Sequence, residues 1–143
     1  MKKMRKSLIA VVVMLCLVIA AQAGGAETSS AKTVKKITVA KIKGTTLSYH
    51  KAVNNITIME DPQWENIVGY GKKKTIKMTK DTKFYLLNIQ TMKPYKVTKK
   101  KFIKNMDKYG KSTENGVTYY WGTYCKMTVK NGKCVKLVQQ YQS

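Results

Sequence analysis

From Ile37 onward apolar and polar positions alternate in short runs, the period expected of strands covered on one face. Ile37-Thr-Val-Ala-Lys-Ile-Lys43 and Leu47-Ser-Tyr-His50 flank Gly44-Thr45-Thr46, which predicts a hairpin. Ile76 and Met78 alternate with polar neighbours over Lys74–Thr79 and predict a half-buried strand. Phe84–Leu87 and Tyr95–Val97 predict two more, divided by a turn near Pro94. Between His50 and Lys74 the alternation fails: Asp61-Pro62 and Gly69-Tyr70-Gly71 mark loops, with Ile56–Met59 as one further short strand.

One segment has helical spacing. Thr98 suits an N-cap, Phe102, Ile103, Met106 and Tyr109 gather on one stripe, and Gly110 sits where a left-handed residue ends a helix, so a helix is expected over 99–109. Lys99, Lys100 and Lys101 oppose the macrodipole in its first turn, so docking of Phe102 and Met106 on a sheet has to hold it. Beyond it, Val117–Trp121 and Thr123–Val129 are rich in aromatic and branched residues, and Gly122 between them predicts a bulge or sharp bend.

The last run turns at Asn131-Gly132, a strong hairpin signal. A three-residue loop over 130–132 keeps one face apolar by setting Met127 across from Val135 and Cys125 across from Leu137. Cys134 then faces the other way as the more exposed thiol. The hairpin also separates Cys125 from Cys134 by more than the roughly 7 Å between α-carbons that a disulfide tolerates, so no disulfide is expected. These elements amount to a mainly β fold of about six short strands and one helix, a small, partly closed antiparallel barrel.

The chain begins differently. Lys2, Lys3, Arg5 and Lys6 precede the uncharged run Leu8–Ala21, and Ala21-Gln22-Ala23 offers a small-x-small site, the three parts of a cleavable export signal over 1–23 with cleavage after Ala23. The run is too short to be a natural membrane span of roughly 20 residues, so membrane contact is expected only in transit. Residues 24–34 are small and polar and are expected to form a disordered tether, with a single β-rich domain over 35–143. The implied address is secreted or envelope-associated.

Charge changes the functional picture most. Of 28 basic residues, four lie in the leader, which leaves 24, all lysine, against seven acids and a formal charge of 24 less 7, or +17. Lysine is a flexible point charge without the bidentate fork of arginine, so sequence-specific nucleic-acid reading is disfavoured and diffuse attraction to polyanions remains. An AT-rich genome yields the same excess of Lys, Asn, Ile and Tyr without selection for a basic surface. Lys72, Lys73 and Lys74, together with Lys99, Lys100 and Lys101, are the candidate binding lysines. Tyr120 and Trp121, from the run Tyr119-Tyr120-Trp121, are candidate stacking residues, although half of any such run must face the core.

Catalytic chemistry has little to work with. His50 is the sole histidine and reads as a surface or strand-end residue, and zinc would need more ligands than Cys125, Cys134 and His50 supply. No metal or other cofactor is implied, and a non-enzymatic role is expected. Glu60, Asp61 and Glu65 cluster beside Trp64 and offer a different reading, a small hydrolase or inhibitor with a cleft there. A third reading is an assembly subunit that pairs through a strand edge.

Asp81-Thr82-Lys83-Phe84 and the closing pair Met127–Leu137 resemble the small exported β-barrel proteins of low-GC Gram-positive bacteria. That resemblance implies an OB-like or SH3-like barrel over about 36–140 and implies no activity, since such barrels host many functions. The leading expectation is a binding module for anionic polymers: wall polymer, glycan or, non-specifically, nucleic acid.

Overall fold

A computed structural model describes residues 31–142; the leader expected at 1–23, the site at Ala23 and most of the polar stretch 24–34 lie outside the described residues. The chain is mainly β. Its strands are β1 (Lys32–Lys43), β2 (Thr46–Asn54), β3 (Ile67–Asn88), β4 (Lys93–Val97), β5 (Gly110–Glu114), β6 (Val117–Trp121), β7 (Thr123–Lys130) and β8 (Lys133–Gln139). Asn55–Thr57 forms a 3₁₀ turn and Lys99–Lys104 the short helix α1. Strand β1 begins at Lys32, inside the stretch expected to be a tether.

All eight strands belong to one sheet in the order β2-β1-β7-β8-β3-β6-β5, with β4 on the side of β3. Strand β2 also pairs with β3, so β1, β2, β3, β8 and β7 run in a ring, in which β1–β2, β2–β3 and β7–β8 pair antiparallel and β3–β8 parallel. Inward-facing residues of these strands form the core: Val39, Ile42, Leu47, Met78, Phe84, Cys125, Met127, Cys134 and Leu137, with Phe102 of α1. Phe102 lies 5.3 Å from the Phe84 ring, and this docking, not propensity, holds a helix whose first turn is all lysine.

Strand β3 departs most from expectation. A straight strand of its 22 residues would run about 70 Å, so it must bend, and it does so where its partners change. Lys51 pairs with Tyr70 and Tyr49 with Lys74, so Gly71, Lys72 and Lys73 bulge opposite His50 alone, with Gly71 at φ +88°. The expected loop at 69–71 is therefore strand. A second bend follows Met78, where Thr82 Oγ1 donates to the Cys134 carbonyl at 2.7 Å and accepts from the Thr79 amide at 2.8 Å.

Other expectations are corrected. The helix stops at Lys104, because Asn105 caps it: its side-chain amide donates to the Lys101 carbonyl at 2.8 Å. The Asp107 amide turns away to Thr123 Oγ1 at 2.7 Å, and Gly110 opens β5 rather than ending a helix. Residues 56–59 are not strand. The Asn54 side chain accepts from the Ile56 amide and the Ile58 amide returns to Asn55, which closes a 3₁₀ turn instead.

The last hairpin turns on two residues, Asn131 at φ +54° and Gly132 at φ +75°, with Lys130 opposite Lys133. Val129 faces Cys134 and Met127 faces Leu137, so Val135 is an extra, bulged residue. That bulge restores an apolar inner face that a two-residue loop would otherwise split. Cys134 is consequently buried with Cys125, both free thiols, rather than the more exposed of the two.

Candidate functional site

Register around the ring brings together lysines that are far apart in sequence. On the outer face Lys43 of β1 pairs with Thr46 of β2, Thr46 with Lys77 of β3, Lys77 with Lys133 of β8, and Lys133 with Lys130 of β7. Their neighbours Ile42, Leu47, Met78 and Cys134 are buried, so alternation sends this row outward. Lys77 Nζ donates to Thr46 Oγ1 at 3.0 Å, and Lys99 Nζ reaches the carbonyl of Gly44 in the β1–β2 turn. The row therefore borders two adjacent turns, Gly44-Thr45 and Asn131-Gly132.

A second outward patch lies further along β3 and β8. Lys83 pairs with Lys136, and Tyr85 lies between Val138 and Lys96 with Lys126 beyond Val138. Lys136 Nζ stands 5.3 Å above the Tyr85 ring, within cation–π range. Directly opposed like charges destabilise a sheet, and among the described pairings Lys77–Lys133, Lys130–Lys133 and Lys83–Lys136 are of that kind.

The candidate lysines read from sequence are dispersed. Lys72, Lys73 and Lys74 lie exposed along the β3 bulge, where Lys73 Nζ sits 5.7 Å from the Tyr109 ring. Lys99, Lys100 and Lys101 occupy the first turn of α1, with Lys101 Nζ 5.8 Å from the Tyr95 ring. Tyr120 and Trp121 project to opposite sides of β6, so they form no common stacking surface. Lys43, Lys77, Lys130 and Lys133 were missed because no local run marks them. A signal existed, since lysines bracket both predicted turns, but their union depends on register.

Tyr120 instead stacks on His50, ring centroids 3.7 Å apart and planes within 11°. His50 is buried, contrary to its expected place at the surface. Gly71 offers only a carbonyl, so Nδ1 carries the proton and donates to it at 2.9 Å; Nε2 is then the acceptor for the Tyr109 hydroxyl at 2.8 Å. Burial lowers the His50 pKa below 6.5 and Lys73 lowers it further, while the Gly71 hydrogen bond works in the opposite direction. Burial also pushes the Tyr109 hydroxyl up, so both groups are neutral near pH 7. The two thiols are similarly quiet: burial pushes Cys134 up to about 11 and Cys125 higher still.

Three acids gather at the far end of β2 from the lysine row. Glu60 and Asp61, from the loop after the 3₁₀ turn, and Glu114, from the end of β5, line a pocket of about 680 Å³ together with Trp64, Tyr119 and Trp121. Glu65 does not line it, because its carboxylate accepts from the Asn54 side-chain amide. Among the described residues no three histidine, cysteine, aspartate or glutamate side chains are grouped to hold a metal ion, and no helix is long and apolar enough to cross a membrane. Comparisons with protein-family models, curated proteins and solved structures find no match to this chain, so function has to be read from its own geometry.

Proposed function

We propose that this chain is a non-enzymatic, exported or envelope-associated module that binds anionic polymers through the outward lysine row Lys43, Lys77, Lys130 and Lys133. The observation that carries the reading is the placement of lysine directly opposite lysine on neighbouring strands, about 4.8 Å apart. Such pairs cost stability unless something neutralises them. A chain of phosphate or carboxylate groups laid across the row would convert that repulsion into attraction. Lys83, Lys136, Lys126 and Lys96 around Tyr85 extend the same surface and add an aromatic face.

The strand order supports an OB-like, partly closed barrel, with β7 and β8 in the places of its last two strands. Barrels of that kind bind oligonucleotides and oligosaccharides through the turn after the first strand and the turn before the last. Gly44-Thr45 and Asn131-Gly132 stand in those places, and the lysine row borders both. With lysine supplying all the charge, the reading is of a surface selective for charge density, so wall polymers rich in phosphate or carboxylate are favoured and nucleic acid would bind without sequence preference.

Duplex DNA is a defined probe for this surface. Affinity should fall steeply as salt rises, and the triple change Lys43→Gln, Lys77→Gln, Lys133→Gln should flatten the log–log slope by roughly 2–3, about 0.9 for each phosphate that a lysine no longer neutralises. Polyphosphate and a polyuronate should show the same weakening. Retention that ignores salt, or that the triple variant keeps in full, would mean that the row binds no polyanion.

A further inference from the structure

The pocket at the opposite end of β2 has a chemistry the lysine row does not share. Both tryptophans of the chain line it, Trp64 from the 58–66 loop and Trp121 from β6, with Tyr119 between β6 and the core. Its volume, about 680 Å³, falls within the range of small-ligand sites.

The walls are held in place before any ligand arrives. Asn55, 5 % exposed, donates from its side-chain amide to the Trp64 carbonyl at 2.8 Å and accepts from the Asn66 amide at 3.0 Å. The Asn55 amide donates to the Asn66 carbonyl at 2.9 Å, so one buried side chain and its backbone clamp the loop that presents Trp64. Across the pocket Trp121 Nε1 donates to Ser112 Oγ at 3.1 Å, and its ring meets Tyr119 edge to face at 5.3 Å. Trp64 is nevertheless 56 % exposed, a large apolar side chain held at the surface on a fixed loop. Fixing an aromatic wall in advance removes part of the ordering cost that a ligand would otherwise bear.

We propose that this pocket is a second, independent site, which takes a sugar ring of an uncharged or amine-bearing oligosaccharide. The C–H edges of a pyranose carry partial positive charge and pack against the negative face of an aromatic ring. The ring hydroxyls need acceptors, and Glu60, Asp61 and Glu114 supply only acceptors when ionised. The same three carboxylates select against an acidic sugar by repulsion and favour one that carries an ammonium group. The site is thus opposite in charge preference to the lysine row, and a polymer alternating sugar rings with anionic groups would engage each end by different units.

Both tryptophans of the chain line this pocket, so indole emission reports on its occupancy, and because Trp121 also borders a smaller pocket the Trp64→Ala variant assigns the response to this one. The mature protein, in enough salt to silence the lysine row, would be titrated with three probes: a β-linked N-acetylglucosamine tetrasaccharide, its deacetylated amine form, and tetragalacturonate. The first two should change the emission saturably and the third should not. Trp64→Ala should weaken the response read from Trp121 about tenfold while leaving salt-sensitive retention on DNA unchanged. The triple lysine variant should do the reverse, so failure of one site is separable from failure of the other. No response to any probe, tighter binding of the galacturonate, or a response that Trp64→Ala leaves intact would each overturn the assignment.

Discussion

At His50 a titratable ring is enclosed by neutral partners. Gly71, Tyr109 and Tyr120 satisfy the neutral ring, and the charge that acts on it is the cation of Lys73. Its folded pKa lies below the unfolded value of 6.5, so the unfolded chain takes up the proton first as pH falls. The contribution is complete above 6.5 and is lost as pH drops through the lowered folded value. Urea midpoints followed from about pH 8 to pH 5 should decline over that window, and His50→Gln should flatten the decline. An equally steep fall in the variant would place the titration elsewhere. None of this enclosure could be read beside Tyr49 in the sequence, since Tyr109 lies 59 residues away and reaches His50 only after α1 and β5 are placed.

Elements whose signals are local were legible. The turn at Gly44, the cap at Thr98, the turn at Asn131-Gly132 and the bend at Gly122 depend on a few adjacent residues. What escaped depends on partners: the continuity of β3 through Gly69 and Gly71, the bulge at Val135, and the early end of α1 at Asn105. The lysine row and the enclosure of the acidic pocket escaped for the same reason, because each draws on several strands. Gly122 shows how tightly these elements meet. A Cβ there would run into the Val39 carbonyl oxygen and lie 2.9 Å from Thr38 Cγ2, so β6 and β7 can bend against β1 only with glycine at the corner. Gly122→Ala should destabilise by about 1–3 kcal/mol or more. Gly110→Ala, with nothing within 4 Å of the new methyl, should stay within about 0.5 kcal/mol of the parent. Equal melting temperatures for the two variants would show that the corner relaxes freely.

Over the whole molecule, 24 lysines face seven acids in the chain expected after cleavage, and this excess repels itself in the folded state. Added sodium chloride should therefore raise the melting temperature at low ionic strength, by screening over a distance of roughly 10 Å at 0.1 M. On the proposed polyanion-binding reading, polyphosphate should do so at far lower concentration, since a ligand of the folded form stabilises by mass action. A melting temperature indifferent to both would mean that the lysines are too well hydrated to interact.

The ring also sets an order of events. Strands β1, β2 and β3 follow one another, yet β3 finds its parallel neighbour in β8, the last of the described strands, and β7 pairs with the same partner. A polypeptide cut short before Lys133 would leave two raw margins, one on β3 and one on β7, each offering unpaired amides and carbonyls to any other chain nearby. Arrival of the segment from Lys133 to Gln139 is thus the step that covers both margins, and that segment acts as the clasp of the ring.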